Sequence, residues 1–183
     1  MMRGRRLLIA FLVAAMALLA GIHAGRQRSG ITVQLSQEAG REALGRLFAS
    51  SFDDLEGKPQ QFARWQDKTV VVNFWATWCP PCREEIPAFS RLQQRYAAQG
   101  VQFVGIALDS ADNVRAFAAA YPVSYPFLMG GAAGVDLARQ LGNTSLSLPF
   151  TLLISPQATL HLVRLGPLSE SEIDLAVQQS LAR

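Results

Sequence analysis

The chain has 183 residues, half of them apolar, two cysteines and a formal net charge of +3. That is enough for one ordinary domain with a real core, plus an N-terminal extension. The charge excludes a phosphate-binding surface on the domain: from Ser51 onward ten Lys/Arg stand against twelve Asp/Glu, so the positive excess lies in the first 50 residues and no nucleic-acid partner is expected.

Taken in order, residues 1–25 come first. Arg3, Arg5 and Arg6 precede Leu7–Ile22, a run without charge or proline, and Arg26 and Arg28 follow it. A basic start before an apolar run reads as a secretion signal or a signal anchor. The run reaches toward the ~20 residues that span a bilayer when extended to Gly25. Ile22-His23-Ala24 is a mediocre cleavage site, so a retained inner-membrane anchor over residues 7–25 is the expectation, with the domain outside the cytoplasm. No cysteine is near enough for a lipid anchor. Residues 26–46 are expected to be a linker; within the wider stretch Arg26–Ser50, Gln37–Phe48 reads either as a short amphipathic helix (Ala43, Leu44, Leu47, Phe48 on one side) or as a tether. The domain is expected over residues 47–183.

Val70–Phe74 is a short, continuous, valine-rich run and predicts a buried strand. It leads into Trp75-Ala76-Thr77-Trp78-Cys79-Pro80-Pro81-Cys82. Pro80 and Pro81 suit the first turn of a helix, where their missing N–H groups would be unpaired anyway. Cys79 then sits at a helix N-terminus, whose partial positive charge stabilises a thiolate. This makes Cys79 the exposed nucleophile and Cys82, one turn on, the resolving thiol. Other readings of two cysteines at this spacing fit less well. Zinc needs about four ligands, and only His23 and His161 remain to supply them. Haem attachment needs histidine after the second cysteine, where Arg83 stands. A purely structural bridge across two residues closes almost no loop. The thiol chemistry itself requires no metal or organic cofactor.

The helix should run from Pro81 to about Gln99, with Ile86, Phe89, Leu92 and Tyr96 facing a sheet, Pro87 inside it and Gly100 ending it. Trp78 is expected to line the site and Trp75 to be core. Glu84 and Glu85 are read as complementing the exposed helix start. Val101–Asp109 is a second apolar strand, which completes a strand–helix–strand unit with a parallel pair. Helices follow over Asp112–Ala120 and Gly134–Leu141. A strand follows Pro149, and Thr159–Leu165, carrying His161 as a surface strand residue, pairs with it. Ser169-Glu170-Ser171-Glu172 is a capping box opening a terminal helix with Ile173, Val177 and Leu181 on its inner side.

Asn73–Ala88 resembles the active-site segment of the membrane-tethered, thioredoxin-like TlpA/ResA proteins, thiol–disulfide oxidoreductases of the bacterial cell envelope. The resemblance implies an α/β thioredoxin-like fold with an N-terminal β-hairpin and a central helical insertion. The hairpin falls on Phe52–Pro59, with Glu56-Gly57 at its turn and Gln61–Trp65 returning; the insertion falls on Asp112–Met129. The resemblance also implies that Pro149 is cis and faces the disulfide, leaving the Leu148 backbone to pair with substrate. The expected site is therefore Cys79 and Cys82 with Trp78, Pro80, Pro81, Leu148 and Pro149 against the substrate. Two departures stand out. Thioredoxins carry a buried aspartate where this chain has Asn73, so the proton acceptor for Cys82 is left open, with water as one choice. Phe150 replaces a usual threonine, a change expected to bear on the substrate groove. The resemblance further implies reduction of envelope proteins such as apocytochrome c or copper-site assembly factors, with electrons from a membrane thiol transporter. A dithiol oxidant and a non-catalytic, membrane-tethered binding module are the alternatives.

Overall fold

The computed structural model describes residues 30–182. The predicted signal or anchor therefore lies outside the described residues, and no helix among those residues is long and apolar enough to cross a membrane. The centre of the fold is strand β4 (Thr69–Trp75), buried along its whole length. Successive side chains of a strand point to opposite faces. Val70, Val72 and Phe74 accordingly enter one apolar core and Val71 and Trp75 another. Asn73, by the same alternation, belongs to the second side.

An eight-stranded mixed sheet spreads from β4. It comprises β1 (Ile31–Thr32), β2 (Ser51–Asp53), β3 (Pro59–Gln61), β4, β5 (Val101–Ala107), β6 (Phe127–Met129), β7 (Phe150–Ile154) and β8 (Leu160–Leu165), in the spatial order β1-β8-β7-β4-β5-β6-β2-β3. β5 pairs parallel with β4 from Thr69↔Val101 to Trp75↔Ala107, and β7 pairs antiparallel on the other side, ending at Phe74↔Phe150. Helices α1 (Gln37–Ala49) and α4 (Gly131–Gln140) supply Leu44, Leu47, Leu137 and Ala138 to the first core. Helices α2 (Pro80–Tyr96), α3 (Ala111–Ala120) and α5 (Glu170–Leu181) supply Ile86, Phe89, Phe117, Ile173 and Val177 to the second. The predicted α/β sandwich, hairpin and helical insertion are all present.

Four details differ from expectation. Of the two readings of Gln37–Phe48, the helix is the one that forms; it is capped by Ser36, and Leu47 is wholly buried against the sheet. Val33 also bonds to Val163 across the sheet edge (2.9 Å), so the chain already belongs to the packed body at that point. The return arm of the hairpin is Pro59–Gln61, and Phe62–Trp65 coils into a 3-10 turn. Three-residue spacing would put Phe62 and Trp65 on opposite faces of a strand, whereas a 3-10 turn stacks them on one side. Both bury there, Phe62 lying 5.8 Å from the Phe48 ring and 5.1 Å from Trp65. Within the insertion, Phe127–Met129 is a third parallel strand paired with β5. Finally, α4 starts three residues earlier than read, because no side chain caps it and its start carries no signal.

Candidate active site

The sequence places sulfur at a helix tip and the structure keeps it there. Cys79 is the N-cap of α2, with extended backbone (φ −92°, ψ 103°), and Pro80 and Pro81 occupy the first helical positions. Its Sγ accepts the backbone N–H of Cys82 at 3.3 Å. A free helical N–H aimed at a sulfur favours its ionised form. Cys79 and Cys82 are joined as a disulfide, with Cα atoms 5.3 Å apart. Cys79 is buried rather than exposed as expected, at 4 %; Cys82 is fully enclosed, so of the two cysteines Cys79 alone keeps any exposure. Trp78 projects into solvent beside it (66 % exposed), and Trp75 is entirely buried between Phe117 and Phe127. Pro80 is exposed and Pro81 half-buried.

The loop before Cys79 is pinned by a residue the sequence did not single out. Asp109, at the end of β5, accepts the Thr77 N–H (3.0 Å) and the Thr77 hydroxyl (2.5 Å). Burial would raise its carboxyl, but hydrogen bonds from Thr77, Asn113 and Ser110 outweigh that and hold it below the ordinary 3.8.

On the other flank, the Leu148–Pro149 peptide bond is cis. Pro149 immediately precedes β7, and Phe150 pairs with Phe74 next to the end of β4, so the proline lies at the same sheet end as the cysteine loop. Asn143 clamps the preceding turn: its amide donates to the Ser147 carbonyl (2.8 Å) and its oxygen accepts the Ser147 N–H (2.9 Å). The Pro149 carbonyl takes the N–H of Gly166. Between these two fixed points, the Leu148 backbone makes no hydrogen bond among the described residues, while its side chain packs against the core that holds both cysteines. Phe150 does not reach this surface. It turns into the first core and stacks on Phe74 at 5.6 Å, because alternation along β7 directs it away from the disulfide.

Glu85 is the main correction. It does not lie on the exposed helix start with Glu84; it is 4 % exposed. It stands one turn after Cys82, on the same helix face. Its Oε1 accepts the Asn73 amide (2.8 Å) and its Oε2 the Leu168 N–H (3.2 Å). The Asn73 amide also donates to the Thr151 hydroxyl at 3.0 Å. Burial pushes the Glu85 carboxyl up from 4.5 to about 8, against the lowering pull of the Leu168 and Asn73 bonds. Nearby charge on Glu85 adds to burial in raising the enclosed Tyr125 hydroxyl. The signal for Glu85 was in the helix stripe itself: continued backward at helical spacing, Ile86, Phe89, Leu92 and Tyr96 bring in Glu85 and Cys82. The site thus holds a helix-tip sulfur, a buried second sulfur, and a carboxyl that changes charge near neutral pH, an arrangement suited to thiol exchange coupled to proton transfer.

Comparison with known proteins agrees with this geometry. Residues 46–163 match the AhpC/TSA family. The chain is 32 % identical over 150 residues to the thiol–disulfide oxidoreductase ResA of Bacillus subtilis, covering 79 % of this chain and 80 % of that one. It is 30 % identical over 128 residues to the thioredoxin-like protein YneN of the same organism, covering 68 % and 72 %. Among solved structures, a thiol:disulfide interchange protein of the thioredoxin family from Chlorobium tepidum superposes with a TM-score of 0.62 at 33 % identity, over 72 % of this chain and 92 % of that one.

Proposed function

For a chain that belongs to the AhpC/TSA family and is a thiol–disulfide oxidoreductase of the ResA type, we propose the role of a reductase acting on disulfides of cell-envelope proteins. The observation that carries the exchange chemistry is the Cys79 sulfur held against the Cys82 N–H at the tip of α2; the reducing direction rests on the likeness to ResA. In the reduced protein the Cys79 thiolate attacks one sulfur of a substrate disulfide. A mixed disulfide forms and the other substrate sulfur leaves as a thiolate. Cys82 then gives up its proton, attacks Cys79 and restores the Cys79–Cys82 bond, releasing the second substrate sulfur. Two electrons pass from the protein dithiol to the substrate.

Asn73 cannot take the Cys82 proton, because an amide does not titrate in this range. Glu85 takes it in our reading, in those molecules where its carboxyl is ionised, a fraction that grows as pH rises toward 8. Its raised carboxyl, at about 8, is close to the ~8.5 of a free thiol, the matching that favours proton transfer. The unpaired Leu148 backbone beside Pro149 receives the substrate chain as a short added strand, and Trp78, Pro80 and Pro81 bound the approach to Cys79. Residues 7–25 anchor the domain to the outer face of the inner membrane, and a membrane thiol donor re-reduces the pair. Substrates of the apocytochrome c or copper-assembly kind follow from the TlpA/ResA resemblance.

A Cys82→Ser variant tests the proposal in cells. It should accumulate disulfide-linked adducts through Cys79, resolved by reductant and identified by mass; a complete lack of adducts counts against it. The reduction potential separates the directions of transfer. A value near that of thioredoxin, about −270 mV, supports reduction; one near the strongly oxidising end of the family, about −120 mV, reverses the role to an oxidant. A binding module without turnover would fail to reduce insulin at all.

A further inference from the structure

Beside the thiol pair, on a surface that includes neither Leu148 nor Pro149, lies a groove of about 560 Å³. Pro80, Arg83 and Pro87 of α2 form one wall and Phe117, Tyr121 and Val123 of the insertion form the other. The groove begins at the residue directly after Cys79. Its outer wall is fastened: Ser124 donates its N–H to the Ser90 hydroxyl (2.9 Å) and its own hydroxyl to the Ser90 carbonyl (2.6 Å), tying the insertion to α2. The floor is mostly apolar, yet Tyr121 is left 51 % exposed.

Arg83 is placed unusually. A cation in the first turn of a helix is disfavoured by the helix dipole. Six other arginines of the described residues sit in ion pairs. Arg83, like Arg41 and Arg64, makes no ion pair among the described residues; it lies over the rings of Phe117 (6.0 Å) and Tyr121 (5.9 Å). Such stacking orients a guanidinium while leaving its N–H fork free for an oxygen acceptor. Glu84 also borders the groove, but adjacent helix residues diverge by about 100° and do not face each other.

We propose that this groove is a second substrate subsite, which takes an apolar side chain flanking the reactive cysteine of the disulfide-bearing polypeptide and sets an acidic side chain of that polypeptide against Arg83. The inference rests on the exchange reaction proposed above and adds a sequence preference to it. The Leu148 edge reads backbone and is indifferent to side chains; the groove reads side chains.

The test uses the reduced full-length chain and four cysteine peptides, each presented as a mixed disulfide with a coloured thiol. The two residues flanking the cysteine are Phe and Glu, Phe and Lys, Ser and Glu, or Ser and Lys, in both orders. Release of the coloured thiol gives the rate of attack by Cys79. The Phe–Glu peptide should react fastest, about three- to fivefold ahead of the Phe–Lys peptide, the scale of one exposed charge pair, and further ahead of the Ser–Lys peptide. In Arg83→Glu the Glu-to-Lys rate ratio should invert. Rates within twofold across the four peptides, or a ratio unmoved by Arg83→Glu, overturn the subsite. If neither these peptides nor oxidised glutathione reacts with the unmodified protein, the exchange reaction fails and the subsite fails with it, a result distinct from equal rates.

Discussion

On one face of β4, Val70, Val72 and Phe74 share a core with Leu44, Leu47, Leu137 and Phe150. On the other, Val71 and Trp75 share theirs with the cysteine pair, and Asn73 reaches Glu85 and Thr151. The same seven residues thus back an apolar layer and a layer with a buried acid in it. Apolar burial stabilises at roughly 25 cal/mol per Å². A buried carboxyl lowers stability unless it stays protonated or is fully bonded. Both faces bury a large apolar core, and the second also gives up some stability to keep a titrating group beside a thiol.

The largest effect expected is on the apolar face. Leu47→Ala removes a fully buried side chain far from the cysteines and should cost about 2–5 kcal/mol, read from the denaturant midpoint. The rate of Cys79 exchange in native buffer should not change. A changed rate would show that the two faces are not independent.

Next comes Glu85→Gln on the polar face. The folded carboxyl titrates near 8 and the unfolded one near 4.5. Between these values the folded state binds more protons, so stability is greatest below 4.5, falls as pH rises through about 8, and then levels off. The substitution should abolish that slope, although its amide NH2 would face one of the two N–H groups, of Asn73 and Leu168, that Glu85 accepts. It should also slow resolution of the mixed disulfide by about tenfold or more. Equal pH profiles of unfolding for the two proteins would falsify the assignment of a neutral, buried Glu85.

Asp109→Asn should have the smallest effect, on the order of 1 kcal/mol for weakened bonds to Thr77. Here the sign is opposite. The folded carboxyl lies below its ordinary value, so its contribution is present above about 3.8 and lost as pH falls through the folded value. Acid unfolding of the wild type and the variant side by side reads this difference, and looser geometry of the Thr77–Trp78 loop should appear as faster hydrogen exchange there.

Much of this was written in local pattern. A valine run, two prolines between two cysteines and a helical stripe of Ile86, Phe89, Leu92 and Tyr96 suffice for a strand, a turn, a helix and a sulfur at its tip, because each rests on steric and dipolar effects within one turn of chain. The terminal helix was equally plain, and its Ser169–Glu172 capping box forms as read. The hairpin's return arm was not, since Phe62 and Trp65 coil to reach Phe48, a partner contributed by a different element.

Glu85 marks the boundary most clearly. Its residue type, at the start of a helix, suggests a solvated carboxylate. Its state is decided by Asn73 twelve residues earlier, Leu168 eighty-three residues later, and the apolar side chains that shut water out. Spacing along a chain fixes which way a side chain points; how far its charge is desolvated depends on what packs over it from elsewhere, and only the assembled fold supplies that.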